Sequence, residues 1–123
     1  MSDKKFILVV DDDPDLVETV AMMLESKGCE VGMAYDGIEA EESIKERRPD
    51  LIILDIMMPR KDGYEVCQEL RAHPDWKNIK IIMLTAKGRD VEREKGLALG
   101  ADDYVIKPFA TQELVNKVKT LLT

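Results

Sequence analysis

Two short runs, "FILVV" and "LIIL", are apolar at every position and not merely at alternate ones. A strand carries that pattern when both of its faces are buried, as happens when helices cover a parallel sheet above and below. Three more apolar runs, "EVGMA", "IKIIML" and "DYVI", recur along the chain, separated by longer amphipathic stretches. This alternation predicts an α/β fold of five strand-helix units around one doubly wound parallel sheet. At 123 residues, 45% of them hydrophobic, the chain suits one compact domain over residues 1–123.

The first helix is expected on "DPDLVETVAMMLESKG", with Asp13 as N-cap, Pro14 at the first helical position and Gly28 just past the end. Its buried stripe would be Leu16, Val20, Met23 and Leu24. Further helices fit "GIEAEESIKERR", closed before Pro49, "DGYEVCQELRAH", closed before Pro74, "RDVEREKGLALG" and "TQELVNKVKTLL". The fourth has a thin apolar stripe interrupted by Gly96.

The charge balance excludes several functions. With 18 Lys and Arg against 25 Asp and Glu, the net charge is -7, which repels phosphate backbones and anionic membranes. Direct nucleic-acid binding and membrane association are not expected. No apolar run reaches the roughly 20 residues of a membrane helix, and "MSDKKFILVV" lacks the pattern of a secretory signal. A cytoplasmic location is expected. Cys29 and Cys67 have no zinc or redox spacing and read as plain thiols, and His73, the single histidine, reads as a solvated loop residue.

In a parallel α/β sheet, the loops leaving the carboxyl ends of the strands line one crevice. Asp11 and Asp12 follow the first strand, Asp55 the third, Thr85 the fourth and Lys107 the fifth. Taken singly, Asp13 is a helix cap, Asp11 or Asp12 a turn residue, Thr85 a loop hydroxyl and Lys107 a solvated charge. Their convergence at four strand ends points to a site. Carboxylates gathered in one crevice repel each other unless a cation lies between them, and all-oxygen ligands suit Mg2+.

From "ILVVDDD" through "DLIILDIMMPRKDGYEV" and "IIMLTA" to "GADDYVIKPF" and the last helix, the whole chain resembles the receiver domains of two-component response regulators. It is similar both to the stand-alone chemotaxis regulator and to the receivers of winged-helix transcription regulators. The resemblance implies a flavodoxin-like strand order 2-1-3-4-5. It implies that Asp55 accepts a phosphoryl group from a histidine kinase or phosphotransfer protein, and that Asp12, Asp55 and the Met57 carbonyl hold Mg2+, with Asp11 acting through water. Lys107 would pair with the phosphoryl group, and Thr85 would donate a hydrogen bond to it. Lys107-Pro108 would be cis. Tyr104 would be the switch aromatic, turning inward behind Thr85. Met57 and Lys87 occupy positions that tune hydrolysis of the acyl phosphate in this family.

Arg93, Asp102, Asp103, Glu113 and Lys117 resemble the charged surface through which winged-helix regulator receivers dimerise, although Glu94 stands where those receivers carry an apolar residue. A phosphorylation-dependent homodimer is therefore an expectation, as is a downstream target or effector domain. The chain ends with its fifth helix, which suggests a single-domain regulator or an excised receiver. Three rivals are weaker. An aspartyl phosphatase of the haloacid-dehalogenase class needs a second Asp where Met57 stands. A flavodoxin-type carrier needs a phosphate cradle that "DDDPD" would repel. A pseudo-receiver that only binds a partner would have no use for these acids. No enzyme activity is expected beyond the domain's own phosphorylation and dephosphorylation.

Overall fold

The computed structural model describes residues 4–86 and 88–123. Strands β1 (Phe6–Val10), β2 (Glu30–Ala34), β3 (Leu51–Asp55), β4 (Lys80–Ala86) and β5 (Asp103–Lys107) alternate with helices α1 (Pro14–Ser26), α2 (Gly37–Glu46), α3 (Gly63–Ala72), α4 (Asp90–Ala98) and α5 (Thr111–Leu122). All pairings are parallel, in the order β2-β1-β3-β4-β5. This is the flavodoxin-like order that the resemblance to receiver domains implies.

Because successive strand residues point to opposite faces, the uninterrupted apolar runs feed two cores. Leu8, Val10, Ile52, Leu54, Ile81 and Met83 meet Ala40 and Ile44 of α2 and Val66, Cys67 and Leu70 of α3. Ile7, Val9, Ile53, Ile82, Leu84 and Val105 meet Val17, Val20 and Leu24 of α1 and Leu114, Val115 and Val118 of α5. Truncating any of the fully buried Leu or Ile side chains to Ala costs roughly 2–5 kcal/mol.

The helix entrances follow local rules. Asp13 accepts from the Asp15 amide with Pro14 beside it, and Asp62 forms a reciprocal capping box with Glu65. Gly28, past the end of α1, has φ 91, a conformation that favours glycine. The stripe of α1 is rotated from expectation: Val17, Val20, Ala21 and Leu24 are buried, whereas Leu16 and Met23 sit half-buried at the rim. Helix α2 stops at Glu46, because Pro49 disfavours helical backbone at the preceding residue and Arg47 is extended and paired with Glu30. Helix α4 has no side-chain cap, and its one buried residue is Gly96, in keeping with its thin stripe. Three strands run further than expected, so Asp55 closes β3, Lys107 closes β5 and Thr85 lies within β4 rather than after it.

Candidate functional site

The carboxyl ends of β1, β3 and β5 bring one acidic cluster together. The Asp11 amide continues the ladder by donating to the Ala34 carbonyl at 3.2 Å, and Asp11 Oδ1 accepts from the Asp13 amide at 3.0 Å. This fixes the Asp11 carboxylate just before α1 begins. Asp11 is fully buried, Asp55 is 5% exposed, and Asp12 faces solvent. One carboxylate oxygen from each of the three lies within 4.8 Å of the others.

Lys107 Nζ stands 2.7 Å from Asp11 Oδ2 and 3.2 Å from Asp55 Oδ1. The contact with Asp11 is an ion pair that is not aligned as a hydrogen bond, so Oδ2 is buried without a hydrogen-bond donor. Among the described residues, one ammonium thus faces a cluster of three acids. A buried carboxylate without full compensation is costly. Burial pushes the Asp55 carboxyl up to about 6, and Asp11 adds to the rise against the pull of Lys107. Desolvation and the neighbouring Asp11 also raise Asp12. Burial would lower Lys107, but Asp11 and Asp55 outweigh it and keep the ammonium above its usual range. The site holds more negative charge than it can balance, and its oxygen donors fit a hard divalent cation such as Mg2+.

Asp55 pairs with Leu84 across β3 and β4, and Thr85 is the next residue along. Thr85 is 1% exposed, and its Oγ1 is buried without a hydrogen-bond partner. Met57, two residues beyond Asp55, is well exposed. At Gly63 an added Cβ would lie 2.4 Å from the Asp55 carbonyl oxygen, so only glycine lets α3 start directly against the phosphoacceptor candidate. Lys107-Pro108 is cis. Lys87 lies outside the described residues.

Tyr104 is half-buried, between two cations. Arg93 lies 5.3 Å and Lys117 5.0 Å from its ring centre, and Lys117 Nζ donates to the Tyr104 carbonyl at 2.6 Å. The other charged residues of this face are engaged within the chain. Arg93 pairs with Asp90, Lys117 with Asp103 at 3.2 Å, and Asp102 with Arg71 at 2.9 Å, while Glu113 lies exposed in the first turn of α5. Cys67 is buried and Cys29 half-buried, both as free thiols. His73 departs from the solvated loop residue expected: it is half-buried, caps α3, stacks on Trp76 at 3.8 Å and accepts from the Asp75 amide. Sequence reasoning missed Asp36, at the start of α2, and Arg60 and Lys61 of the β3–α3 loop, which it meets. More than twenty residues separate Asp36 from Arg60, and no local spacing joins them.

Comparison with known proteins agrees with this geometry. The response regulator receiver domain matches residues 7–119. The phosphate regulon transcriptional regulatory protein PhoB of Rhizobium meliloti is 49% identical over 116 residues, which are 94% of this chain and 51% of that protein. The chain therefore spans about half the length of that relative. Among solved structures, a protein of Chloroflexus aurantiacus assigned as a response regulator superposes with TM-score 0.93 at 41% identity, covering 97% of this chain and 98% of that one. A chemotaxis response regulator of Vibrio cholerae superposes with TM-score 0.90 at 31% identity, covering 96% and 98%.

Proposed function

This chain belongs to the response regulator receiver domain family of two-component signalling, and from that premise we propose that Asp55 is its phosphoacceptor. The observation that carries the reading is the placement of Asp55: a nearly buried carboxylate at the end of β3, 3.2 Å from Lys107 and clustered with Asp11 and Asp12. An Asp55 oxygen attacks the phosphorus of a phosphohistidine or small acyl phosphate, the bond from phosphorus to the leaving group breaks, and an aspartyl phosphate remains. The rigid strand holds the nucleophile in line, which removes much of the entropic cost of the encounter. Lys107 then pairs with the phosphoryl oxygens, and Thr85 Oγ1, which lacks a partner at rest, donates a hydrogen bond to them.

Asp12, Asp55 and the Met57 carbonyl, with Asp11 acting through water, are the donors that would hold Mg2+. When bound, Mg2+ neutralises the charge that builds up on the transferring oxygens. The domain acts on no substrate other than its own acyl phosphate. It works in the cytoplasm between a histidine kinase or phosphotransfer protein and an effector domain or downstream target. Tyr104 and the surface of α4, β5 and α5 respond to phosphorylation, and a phosphorylation-dependent homodimer forms through Arg93, Asp102, Asp103, Glu113 and Lys117. Intact mass after incubation with acetyl phosphate and Mg2+ tests the core of this reading. One phosphoryl group should appear on the parent and none on Asp55→Asn, and equal labelling of the two would remove Asp55 from its role.

A further inference from the structure

The loop that carries Met57 is held from outside the acidic cluster. The Gly63 amide donates to the Ile56 carbonyl at 2.9 Å, closing residues 56–63 into an excursion between β3 and α3. Two consecutive basic residues tie this excursion to the helices beside it. Arg60 donates from Nε at 3.0 Å and from Nη2 at 2.6 Å to the same oxygen, Asp36 Oδ2. Asp36 is 8% exposed, and its other oxygen accepts from the Glu39 amide at 2.8 Å, so the start of α2 fixes this carboxylate before Arg60 meets it. Lys61 Nζ sits between Glu41 of α2 at 2.8 Å and Glu69 of α3 at 2.7 Å, with its side chain 15% exposed.

The backbone follows the same contact. A Cβ on Gly37, the first residue of α2, would lie 2.4 Å from the Lys61 carbonyl oxygen, so the loop and the helix start are in direct contact. Arg60 has φ 66, a left-handed conformation that a residue other than glycine holds only when its surroundings impose it. Its two bonds to Asp36 are such an imposition.

We propose that Arg60 and Lys61 are positioning residues for the metal-binding carbonyl of Met57, with α2 as the template against which that carbonyl is set. The inference rests on the reading of the Asp55 pocket given above. Three of the proposed metal donors stand at or just beyond strand ends, whereas the Met57 carbonyl is on the excursion. Mg2+ requires near-ideal octahedral geometry with short bonds to oxygen. A donor that reaches its place only part of the time lowers the apparent affinity by that fraction. The ties therefore act on metal affinity more than on the transfer step. The Arg60 tie adds little to the fold, since its side chain is 56% exposed and exposed ion pairs contribute little stability, whereas the Lys61 ties are more buried.

Calorimetric titration of the chain with Mg2+ tests this, paired with metal-free melting of each variant. Arg60→Ala and Lys61→Ala should each raise the Mg2+ Kd by roughly tenfold, the range seen when partners of metal ligands are removed. The Mg2+ concentration giving half-maximal labelling by acetyl phosphate should shift by the same factor. The rate at saturating Mg2+ should stay near that of the parent in both, and the metal-free melting temperature should do so in Arg60→Ala, whose ion pair is exposed on the arginine side. Asp36→Asn keeps the acceptor for Glu39 but loses the charge, so it should match Arg60→Ala, and the double variant should be no weaker than either. Arg60→Gly relieves the backbone conformation without restoring the tie, and its affinity should remain low.

Parent-like Kd values in both alanine variants would overturn the proposal, as would full recovery in Arg60→Gly. A parent chain that binds no Mg2+ would overturn the reading of the pocket itself, a result separable from the variant comparison.

Discussion

Acids stand at both ends of the sheet, and the two sets are treated oppositely. At the amino-terminal end, Asp50 accepts from the Phe6 amide at 2.8 Å, and Asp102 accepts from the Ile81 amide at 2.8 Å and from Arg71 at 2.9 Å. Arg71 also donates to the carbonyls of Gly100, Lys77 and Ile79. Each carboxylate there meets donors that the backbone already had to satisfy, so its charge stitches the sheet edge to the loops. At the carboxyl end, Asp11, Asp12 and Asp55 crowd one another, and Lys107 pairs with Asp11 and Asp55. Similar side chains at similar edges thus serve opposite ends: one set contributes stability, and the other is held in place at its expense.

The sharpest way to break this contrast is to remove the hub of the well-satisfied end. Arg71→Ala takes the arginine donor from three carbonyls and leaves Asp102 with the Ile81 amide but no cation, and should destabilise by about 3 kcal/mol, read from denaturant midpoints. A loss below about 1 kcal/mol would mean that the amino-terminal acids are no better compensated than the acidic cluster.

The opposite sign is expected at Asp55. Its folded pKa, about 6, lies above the unfolded value, so between the two the folded chain binds more protons. The contribution of Asp55 to metal-free stability should therefore be fullest below about pH 4 and decline as pH rises through 6, by up to roughly 3 kcal/mol, against the opposite trend of the lowered acids Glu30, Asp36 and Glu69. Asp55→Asn should flatten that decline and melt higher than the parent at pH 7, with Asp12→Ala a weaker case of the same kind. Melting of the metal-free proteins across pH checks both, and a parent that gains on Asp55→Asn from pH 4 to 7 would reverse the assignment of strain.

Mg2+ should undo part of the same cost. Saturation to about one hundred times the Kd adds about 2.7 kcal/mol by mass action, and less at lower concentrations. The thermal midpoint should rise with Mg2+ in the parent and hardly move in Asp55→Asn. Equal rises in both would place the cation elsewhere.

How much of this was legible beforehand depended on distance along the chain. Asp13, Pro14 and Gly28 act on their immediate neighbours, so their roles could be read locally. The acidic cluster could be read because parallel strands bring their carboxyl ends together, whatever lies between them. The α1 stripe could be misread because Leu16 and Val17 both keep helical spacing to Val20, and only packing against β1 and α5 chooses between them. Asp36 and Arg60 could not be paired at all, since their meeting depends on the path of the β3–α3 loop over α2. Asp102 and Asp103 were read from resemblance as part of a surface for a second copy, and their partners within the chain, Arg71 and Lys117, come from distant segments that no local spacing joins to them.

The smallest expected effect on stability carries the most about signalling. Thr85 Oγ1 is buried without a hydrogen-bond partner, so Thr85→Ala removes a group that contributes little, and stability should change by about 1 kcal/mol or less. A phosphoryl group on Asp55 would bring about -1.5 to -2 charges and new acceptor oxygens, and the Thr85 hydroxyl is the donor without a competing partner. Only a difference in contacts between two arrangements can shift their populations. Movement of Thr85 toward the phosphoryl group would supply that difference, and Tyr104, held at rest between Arg93 and Lys117, would then move into the space left behind. Thr85→Ala should still accept a phosphoryl group on Asp55, more slowly, while the change at Tyr104 is mostly lost. NMR of the Tyr104 ring before and after phosphorylation checks this. An undiminished shift in Thr85→Ala would mean that the acidic cluster reaches the α4 and β5 surface by another path.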